Sequence, residues 1–293
     1  MLQKYRLTDE KINGSERVLH RIQAVRDFGD VKCGDLGGWI ESEKNLSHDG
    51  FCWVYDNAMV YSNAKVSGSA KVRNSAKVCG RAEVQGWADV YENARVCDDA
   101  KIMGSAKIFG NAKVYSDAMV FCDAMVFDNA QIGGYCRILD NAKVYGDAEV
   151  EGYAKIFNNA EIYGNAYVFG DTCISHNAQV FGETRVFGNA SIMHNAKVCG
   201  NAHVSSEAEI TNDTVVMSNS DYIVFKNWWS SGRSFTWTRS NNKWKVGCFY
   251  GTGEQLIRKA YSDSPKTGRE YERIVKYVEE CLKDIERDEE NKK

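Results

Sequence analysis

A six-residue repeat occupies the middle of this sequence and constrains the fold more than any other feature. From Asp56 to Met217 the chain divides into 27 consecutive hexads without insertion or deletion, beginning DNAMVY, SNAKVS, GSAKVR. The fifth position is always Val or Ile, and the third is Ala except at Cys136, Thr172, Thr184 and Thr214. A fixed period of this kind indicates stacked structural repeats rather than an ordinary globular domain.

The hexad itself predicts short strands separated by corners. Positions three and five are separated by one residue, so in a strand both side chains face the same side, which must be the interior. The first position is mostly Gly, Asn, Asp or Ser, which tolerate the unusual backbone angles of a corner. A corner in every hexad predicts a three-sided coil built from three hexads. Nine coils stacked at about 4.8 Å make a prism roughly 40 Å long.

The hexads resemble those of the left-handed parallel β-helix of hexapeptide-repeat proteins, and the resemblance covers the whole run from Asp56 to Met217. In that family a small or acidic residue often follows the aliphatic one, whereas here Tyr, Phe, Cys or Met is common. A right-handed β-helix of the bactofilin type is therefore the alternative fold. In both cases we expect a mostly β protein.

The hexads also divide the chain into three parts, with a cap at 1–49, the β-helix at 50–217 and a small α/β module at 218–293. In the cap, KYRLT and ERVLHRIQAV predict strands and CGDLGGWI a Gly-rich turn. Such a segment can cover the open end of the prism, whose unpaired edge would otherwise invite polymerisation. In the module, YIVFKNWW, SFTWTR and KWKVGCFY predict strands, the last two as a hairpin, followed by two helices.

The N-terminal part of the chain carries a more specific resemblance, to the opening of bacterial and prophage hexapeptide-repeat proteins. It rests on Lys4, Arg26, Asp27, Phe28, Val31, Lys32, Gly37, Gly38 and Trp39, and continues through Leu46, Ser47, Gly50, Cys52, Trp53, Val54, Tyr55 and Asp56. Members are commonly labelled acyltransferases, without an established substrate. The resemblance implies CoA-dependent acyl transfer as a candidate activity. The family's occurrence in prophages implies a second candidate role, interference with a host defence protein.

An aromatic residue recurs at position six of every third hexad, so that one ring from each coil stacks on the same face. We call this set the aromatic column: Tyr91, Phe109, Phe127, Tyr145, Tyr163 and Phe181. Ring stacking that stabilises the sheet is one interpretation. We favour a self-association surface, because six aligned exposed rings are costly on a monomer. Related prisms commonly form trimers, so a homotrimer is expected first and a dimer second.

Three smaller sets bear on catalysis, metal binding and coil stability. His176 and His194 occupy position one of hexads one coil apart, but no third ligand is evident, so a plain surface pair is favoured over a catalytic pair. Acyltransferases of this fold usually place a catalytic His near a loop that interrupts the coils, and here no loop does. Cys79 and Cys97 also stack, but without a paired CxxC motif they predict free thiols rather than zinc ligands. A ladder of amides is predicted to hydrogen-bond between coils: Asn141, Asn159, Asn177 and Asn195.

The C-terminal module has the most suggestive composition. Between Tyr222 and Tyr250 it holds basic and Trp residues without any acid, and we predict a ligand site from Lys226, Trp228, Trp229, Arg233, Trp237, Arg239, Lys243, Trp244 and Lys245. Aromatic planes stack on bases and cations neutralise phosphates, which suits a nucleotide-like ligand. The alternative is a small Trp core with the basic residues pointing outward.

Composition excludes several classes of function. A net charge of −3 argues against indiscriminate binding to nucleic acid. No apolar run approaches the ~18 residues of a membrane span, and the N-terminus lacks the apolar region of a signal peptide. We expect a cytoplasmic protein with its ten Cys mostly reduced. The favoured function is a non-catalytic, homo-oligomeric binding protein that captures a nucleotide or a host protein, without metal or cofactor. The alternatives are a CoA-dependent acyltransferase and a structural polymer.

Overall fold

The structure is a computed structural model that describes residues 3–14, 17–229 and 231–290. It begins with three strands, β1 (Tyr5–Asn13), β2 (Val18–Ala24) and β3 (Leu36–Ile40). The first two form an antiparallel hairpin, and β2 pairs antiparallel with β3. On its other side β3 pairs in parallel with the first strand of the repeat, so the cap extends one sheet of the prism.

From Trp53 onward the strands are very short and follow the hexad. After β4 (Trp53–Val54) and β5 (Met59–Val60), one strand occurs in every hexad up to β31 (Val215–Val216). Each pairs in parallel with the strand three hexads away, as Val90 pairs with Ile108. Among the described residues the repeat strands fall into three sheets. The predicted three-sided parallel β-helix with three hexads per coil is therefore confirmed.

The interior and the corners follow the hexad positions without exception. Every residue at positions three and five is buried. Every residue at position one has a left-handed backbone, with φ between 51° and 83°. Because this conformation costs a residue with a Cβ roughly 1–2 kcal/mol, Gly, Asn and Asp are favoured there. Amides at positions two, four and six donate to carbonyls of the next coil, as Lys65 N donates to Ala82 O at 2.9 Å.

The turn predicted in CGDLGGWI is shorter than expected. It lies at Cys33–Gly34, and the residues after it form β3. A Cβ at Gly37 would lie 2.6 Å from the carbonyl oxygen of Val54, and one at Gly38 would lie 2.5 Å from that of Ala58. These two glycines therefore serve a close approach of strand to coil rather than a turn.

The C-terminal module is a four-stranded antiparallel sheet followed by two helices: β32 (Tyr222–Lys226), β33 (Ser234–Thr238), β34 (Lys243–Val246), β35 (Phe249–Gly251), α1 (Gly253–Asp263) and α2 (Pro265–Glu290). Two strand predictions need correction. The first strand ends at Lys226, and the third is divided by Gly247, whose φ of +54° breaks the extended backbone. Thr252 caps α1 by accepting a hydrogen bond from Gln255 N at 3.3 Å.

The three-part division of the chain stays a prediction, and residues 1–2 and 291–293 at its limits lie outside the described residues. None of the helices described combines the length and the apolar character needed to cross a membrane.

Candidate functional site

The C-terminal module is fixed to the open end of the prism by side chains that replace a missing coil. In the last coil the amides have no further carbonyls ahead of them. Glu209 N donates instead to Thr236 Oγ1 at 2.9 Å, and Val215 N donates to Ser240 Oγ at 3.0 Å. Asp221 Oδ2 accepts from Met217 N at 2.8 Å. The module therefore satisfies the exposed edge with matched acceptors.

Acidic residues of the last coil face the basic residues of the module. Lys226 Nζ lies 2.5 Å from Glu207 Oε2, and Lys245 Nζ lies 3.2 Å from Glu209 Oε2. The hydrogen bond from Lys226 lowers the pKa of Glu207 below its ordinary value. The window 222–250 is acid-free in sequence, but in space part of its positive charge is paired.

The four tryptophans of the predicted ligand site divide into two pairs. Trp237 and Trp244 are each 2% exposed and belong to the module's core, and Trp237 Nε1 donates to Asn242 Oδ1 at 2.9 Å. Trp228 and Trp229 lie in the turn after β32, and each is 76% exposed. Trp237 and Trp244 thus form a small core, which was the alternative interpretation of the Trp residues. Trp228 and Trp229 lie on the surface, as a ligand site requires. The alternation in KWKV, where Trp and Val are separated by Lys, is the signal that could have assigned Trp244 to the core.

The exposed pair, which we call the Trp pair, lies beside cations and a cavity. Lys226 Nζ is 5.5 Å from the centre of a Trp228 ring, and Lys266 Nζ donates to the carbonyl oxygen of Trp229 at 3.3 Å. A cavity of about 350 Å³ adjoins Trp229 and is lined also by Asn227, Glu270, Arg273 and Ile274. Lys266, Glu270 and Arg273 were not identifiable from the sequence, because they lie on α2, outside the Trp-rich window.

One polar atom at this cavity has no partner. Glu270 Oε2 is buried and makes no hydrogen bond among the described residues. A buried carboxylate oxygen without a donor is unfavourable, but this atom has almost no accessible surface, so it is not open to a ligand in the cavity. The cavity therefore combines an aromatic plane with positive charge.

The remaining predicted ligand residues lie elsewhere on the module. Arg233 lines a separate depression of about 600 Å³ with Tyr250 and Lys259. The amide of Arg239 donates to the carbonyl of Asp221 at 2.8 Å, and Lys243 begins β34 half-buried. The nine predicted residues therefore do not form one surface.

The histidine pair stacks as predicted from its spacing. The rings of His176 and His194 are 4.5 Å apart at an angle of 19°. Their Nδ1 atoms contact hydroxyls, Ser175 Oγ at 3.0 Å for His176 and Thr211 Oγ1 at 2.8 Å for His194. No cluster of three potential metal-ligating side chains occurs in the part of the chain that the structure describes.

The aromatic column is continuous. Its rings are stacked 4.8–4.9 Å apart and within 6° of parallel. All six side chains are half-buried, because each ring covers the faces of its neighbours. The Arg73 guanidinium closes one end, 4.5 Å from the Tyr91 ring, and is held by Asp89. The column therefore presents ring edges, rather than whole ring faces, to its surroundings.

The predicted amide ladder is confirmed on another corner. Each Nδ2 donates to the Oδ1 of the next coil, at 3.2 Å from Asn141 to Asn159 and from Asn159 to Asn177, and at 3.1 Å from Asn177 to Asn195. Asp213 accepts the last bond, from Asn195, at 3.0 Å. These bonds tie successive coils together at the surface.

Comparison with known proteins gives a partial similarity. No protein-family model matches this chain. The chain is 37% identical over 67 residues to a protein named uncharacterized acetyltransferase YdcK of Escherichia coli (strain K12). The match covers 20% of this chain and 21% of that protein. This similarity and the parallel β-helix fit the hexapeptide-repeat type.

Proposed function

We propose that this protein is a non-catalytic, homo-oligomeric β-helix binding protein whose C-terminal module captures a nucleotide-like ligand. The observation that carries the proposal is the Trp pair, with two adjacent side chains each 76% exposed. Large exposed rings beside a cavity are typical of binding surfaces, and Trp is enriched among residues that dominate binding. The prism holds this surface rigidly at its end.

The surroundings of the Trp pair favour an anionic ligand with a flat ring. A base stacked on Trp229 would gain about 1–3 kcal/mol. The Lys266 ammonium, 3.3 Å from the Trp229 carbonyl oxygen, is placed to contact a phosphate oxygen, whereas the Lys226 ammonium is already paired with Glu207. These two contacts together suit a nucleotide better than a plain phosphate or a plain aromatic compound.

Two features support a binding rather than a catalytic role. The coils pair in unbroken register from β5 to β31, so no loop projects to form a reaction site. His176 and His194 contact hydroxyls, whereas a general base is commonly oriented by a carboxylate. In this proposal the histidine pair is a corner element of the coil.

Self-association through the aromatic column completes the proposal. A second copy presents ring edges with the same 4.8–4.9 Å spacing, so two columns can pack edge against edge along their length. The edges are apolar at the three Phe and carry a hydroxyl at the three Tyr, and covering them would bury apolar surface that a monomer leaves in water. A trimer is expected first and a dimer second.

The ligand proposal is tested by titrating ATP, GTP and their monophosphates into the full chain. Binding is measured by the change in Trp fluorescence and by calorimetry. Replacing both Trp228 and Trp229 by Ala should weaken binding by at least about tenfold, because the stacking platform is lost. Trp87→Ala is the matched control, since Trp87 is 70% exposed on the prism and outside the module. Equal binding by the double variant, or no binding by the wild type, would contradict the nucleotide proposal. In the second case, a stoichiometric protein that co-purifies would redirect it to a protein partner.

Acyl transfer is the second candidate, favoured by the partial similarity to a protein named as an acetyltransferase. It would require CoA as the acyl carrier and a catalytic role for His176 or His194. Release of free CoA thiol from acetyl-CoA, measured with small amine acceptors, tests it. A turnover that His194→Ala abolishes would establish this candidate over the binding role.

A further inference from the structure

Two cysteine thiols meet on a face of the prism that the proposed function does not use. Cys79 and Cys97 occupy position six in neighbouring coils, directly after the paired strands β8 (Lys77–Val78) and β11 (Arg95–Val96). Their Sγ atoms are 2.7 Å apart, and both thiols are free. A disulfide requires about 2.05 Å, so the sulfurs need to approach by only ~0.7 Å.

The backbone also suits a cross-link between these residues. The two strands pair in register, so the two Cα atoms lie about one strand spacing apart, ~4.8 Å. Disulfides span Cα separations of about 4.4–6.8 Å. Both side chains are half-buried, which leaves them accessible to a small reagent.

The neighbours of the pair distinguish the two sulfurs chemically. The hydrogen bond between the two thiols lowers the pKa of Cys79 to about 7, and a bond with Tyr61 acts in the same direction. The Arg17 guanidinium, 4.8 Å from the centre of the Tyr61 ring, also favours the Cys79 thiolate. Burial and the nearby Asp98 carboxylate oppose this effect. The same hydrogen bond raises the pKa of Cys97, so Cys79 is the nucleophile.

We propose that Cys79 and Cys97 are a redox modification site that forms an internal disulfide by exchange with a small-molecule disulfide of the glutathione type. The Cys79 thiolate attacks one sulfur of the reagent, and the first small thiolate leaves. That thiolate takes the proton of Cys97. The Cys97 sulfur then attacks Cys79 Sγ, breaks the mixed disulfide and expels the second small thiolate. The protein loses two electrons, which the reagent gains on becoming two thiols.

The internal disulfide joins two coils next to the N-terminal cap. Arg17, at the β1–β2 connection, also donates from Nη1 to Ser62 Oγ at 2.8 Å, so the cap contacts the coil that precedes Cys79. The site is independent of the Trp pair at the other end of the prism. Failure of either proposal therefore leaves the other standing.

The test is peptide mapping after incubation of the full chain with glutathione disulfide at pH 8. Non-reducing trypsin digestion separates Cys79 and Cys97 onto different peptides, residues 78–81 and 96–101. We expect these two peptides to be joined, with a mass two hydrogens below their sum. Dithiothreitol should restore the separate peptides.

Matched variants and an internal control make the result decisive. Cys97→Ala should leave Cys79 as a stable mixed disulfide with glutathione, because the resolving sulfur is absent. Cys122 is exposed, occupies a corner and serves as the control thiol for reagent access. Glutathione on Cys122 without the joined peptides, or separate glutathione adducts on both Cys79 and Cys97, would overturn the proposal.

Discussion

Three hexads have Thr at position three, and the three hydroxyls differ in whether they have hydrogen-bond partners. The Oγ1 atoms of Thr172 and Thr184 are buried without a hydrogen-bond partner among the described residues. Thr214 Oγ1 donates to the Thr211 carbonyl at 2.6 Å and accepts from Asn241 Nδ2 at 2.8 Å. The same substitution should therefore have opposite effects at different coils.

We expect Thr184→Val to raise the free energy of unfolding by about 1–2 kcal/mol, because it keeps the shape and removes an unsatisfied buried hydroxyl. Thr214→Val should lower it by about 1–3 kcal/mol, because the Asn241 amide then loses one of its two acceptors and keeps only Tyr250 Oη. Denaturant unfolding of both variants measures the difference. Changes of the same sign would show that the hydroxyl environments are not as described.

The regular features of single residues were predictable, because the repeat constrains them many times over. Burial at positions three and five followed from alternation, and the left-handed corner from the preference for Gly and Asn. The pairing of Lys226 with Glu207 was not predictable, because the acid precedes the Trp-rich window and only the fold brings the two together. Residues that pair between the last coil and the C-terminal module do not follow the six-residue period, so the repeat does not predict these pairs.

At the scale of elements, the backbone groups at the two ends of the prism are satisfied by different kinds of hydrogen bond. The cap adds β3 to a sheet, whereas the module offers side-chain acceptors to the amides of the last coil. The hydroxyls of Thr236 and Ser240 are thus part of the coil-to-module contact. These two residues could not be identified from the sequence, since Ser and Thr occur throughout the module.

Replacing Thr236 by Val and Ser240 by Ala should leave the amides of Glu209 and Val215 unpaired. The Glu209 donor is partly buried and should cost about 1 kcal/mol, whereas water can replace the exposed bond of Val215; we therefore expect lower stability and faster hydrogen exchange confined to the last coil. Ser262→Ala is the control, because its hydroxyl bonds within α1. Unchanged exchange at the last coil would argue against the capping role.

One side-chain contact between the cap and the prism is sensitive to acid. Asp30 accepts from Tyr55 Oη at 2.8 Å and from Lys71 Nζ at 2.9 Å, and the bond from Lys71 lowers its pKa. A lowered folded-state pKa contributes stability that is present above the unfolded value of about 3.9 and is lost as pH falls through the folded value. Asp30→Asn should therefore melt below the wild type at pH 6, and the difference should shrink below about pH 4. A difference independent of pH would contradict this assignment.

At the scale of the whole molecule, the prism is a rigid support with separate surfaces for different tasks. The aromatic column runs along one face and the Trp pair lies on the module at one end. The repeat made the prism and the column predictable from sequence. The position of the Trp pair depends on where β32 ends, a boundary that the aromatic-rich stretch YIVFKNWW does not mark.

Native mass spectrometry of the intact, freshly purified protein tests the central claim most directly, because one spectrum reports subunit number and bound small molecules together. We predict a trimer, or failing that a dimer, that carries a nucleotide. Phe127→Ala in the aromatic column should shift the protein to monomer, while Phe187→Ala, in a stacked pair on another face, should not. A ligand-free monomer of the wild type at micromolar concentration would contradict the account.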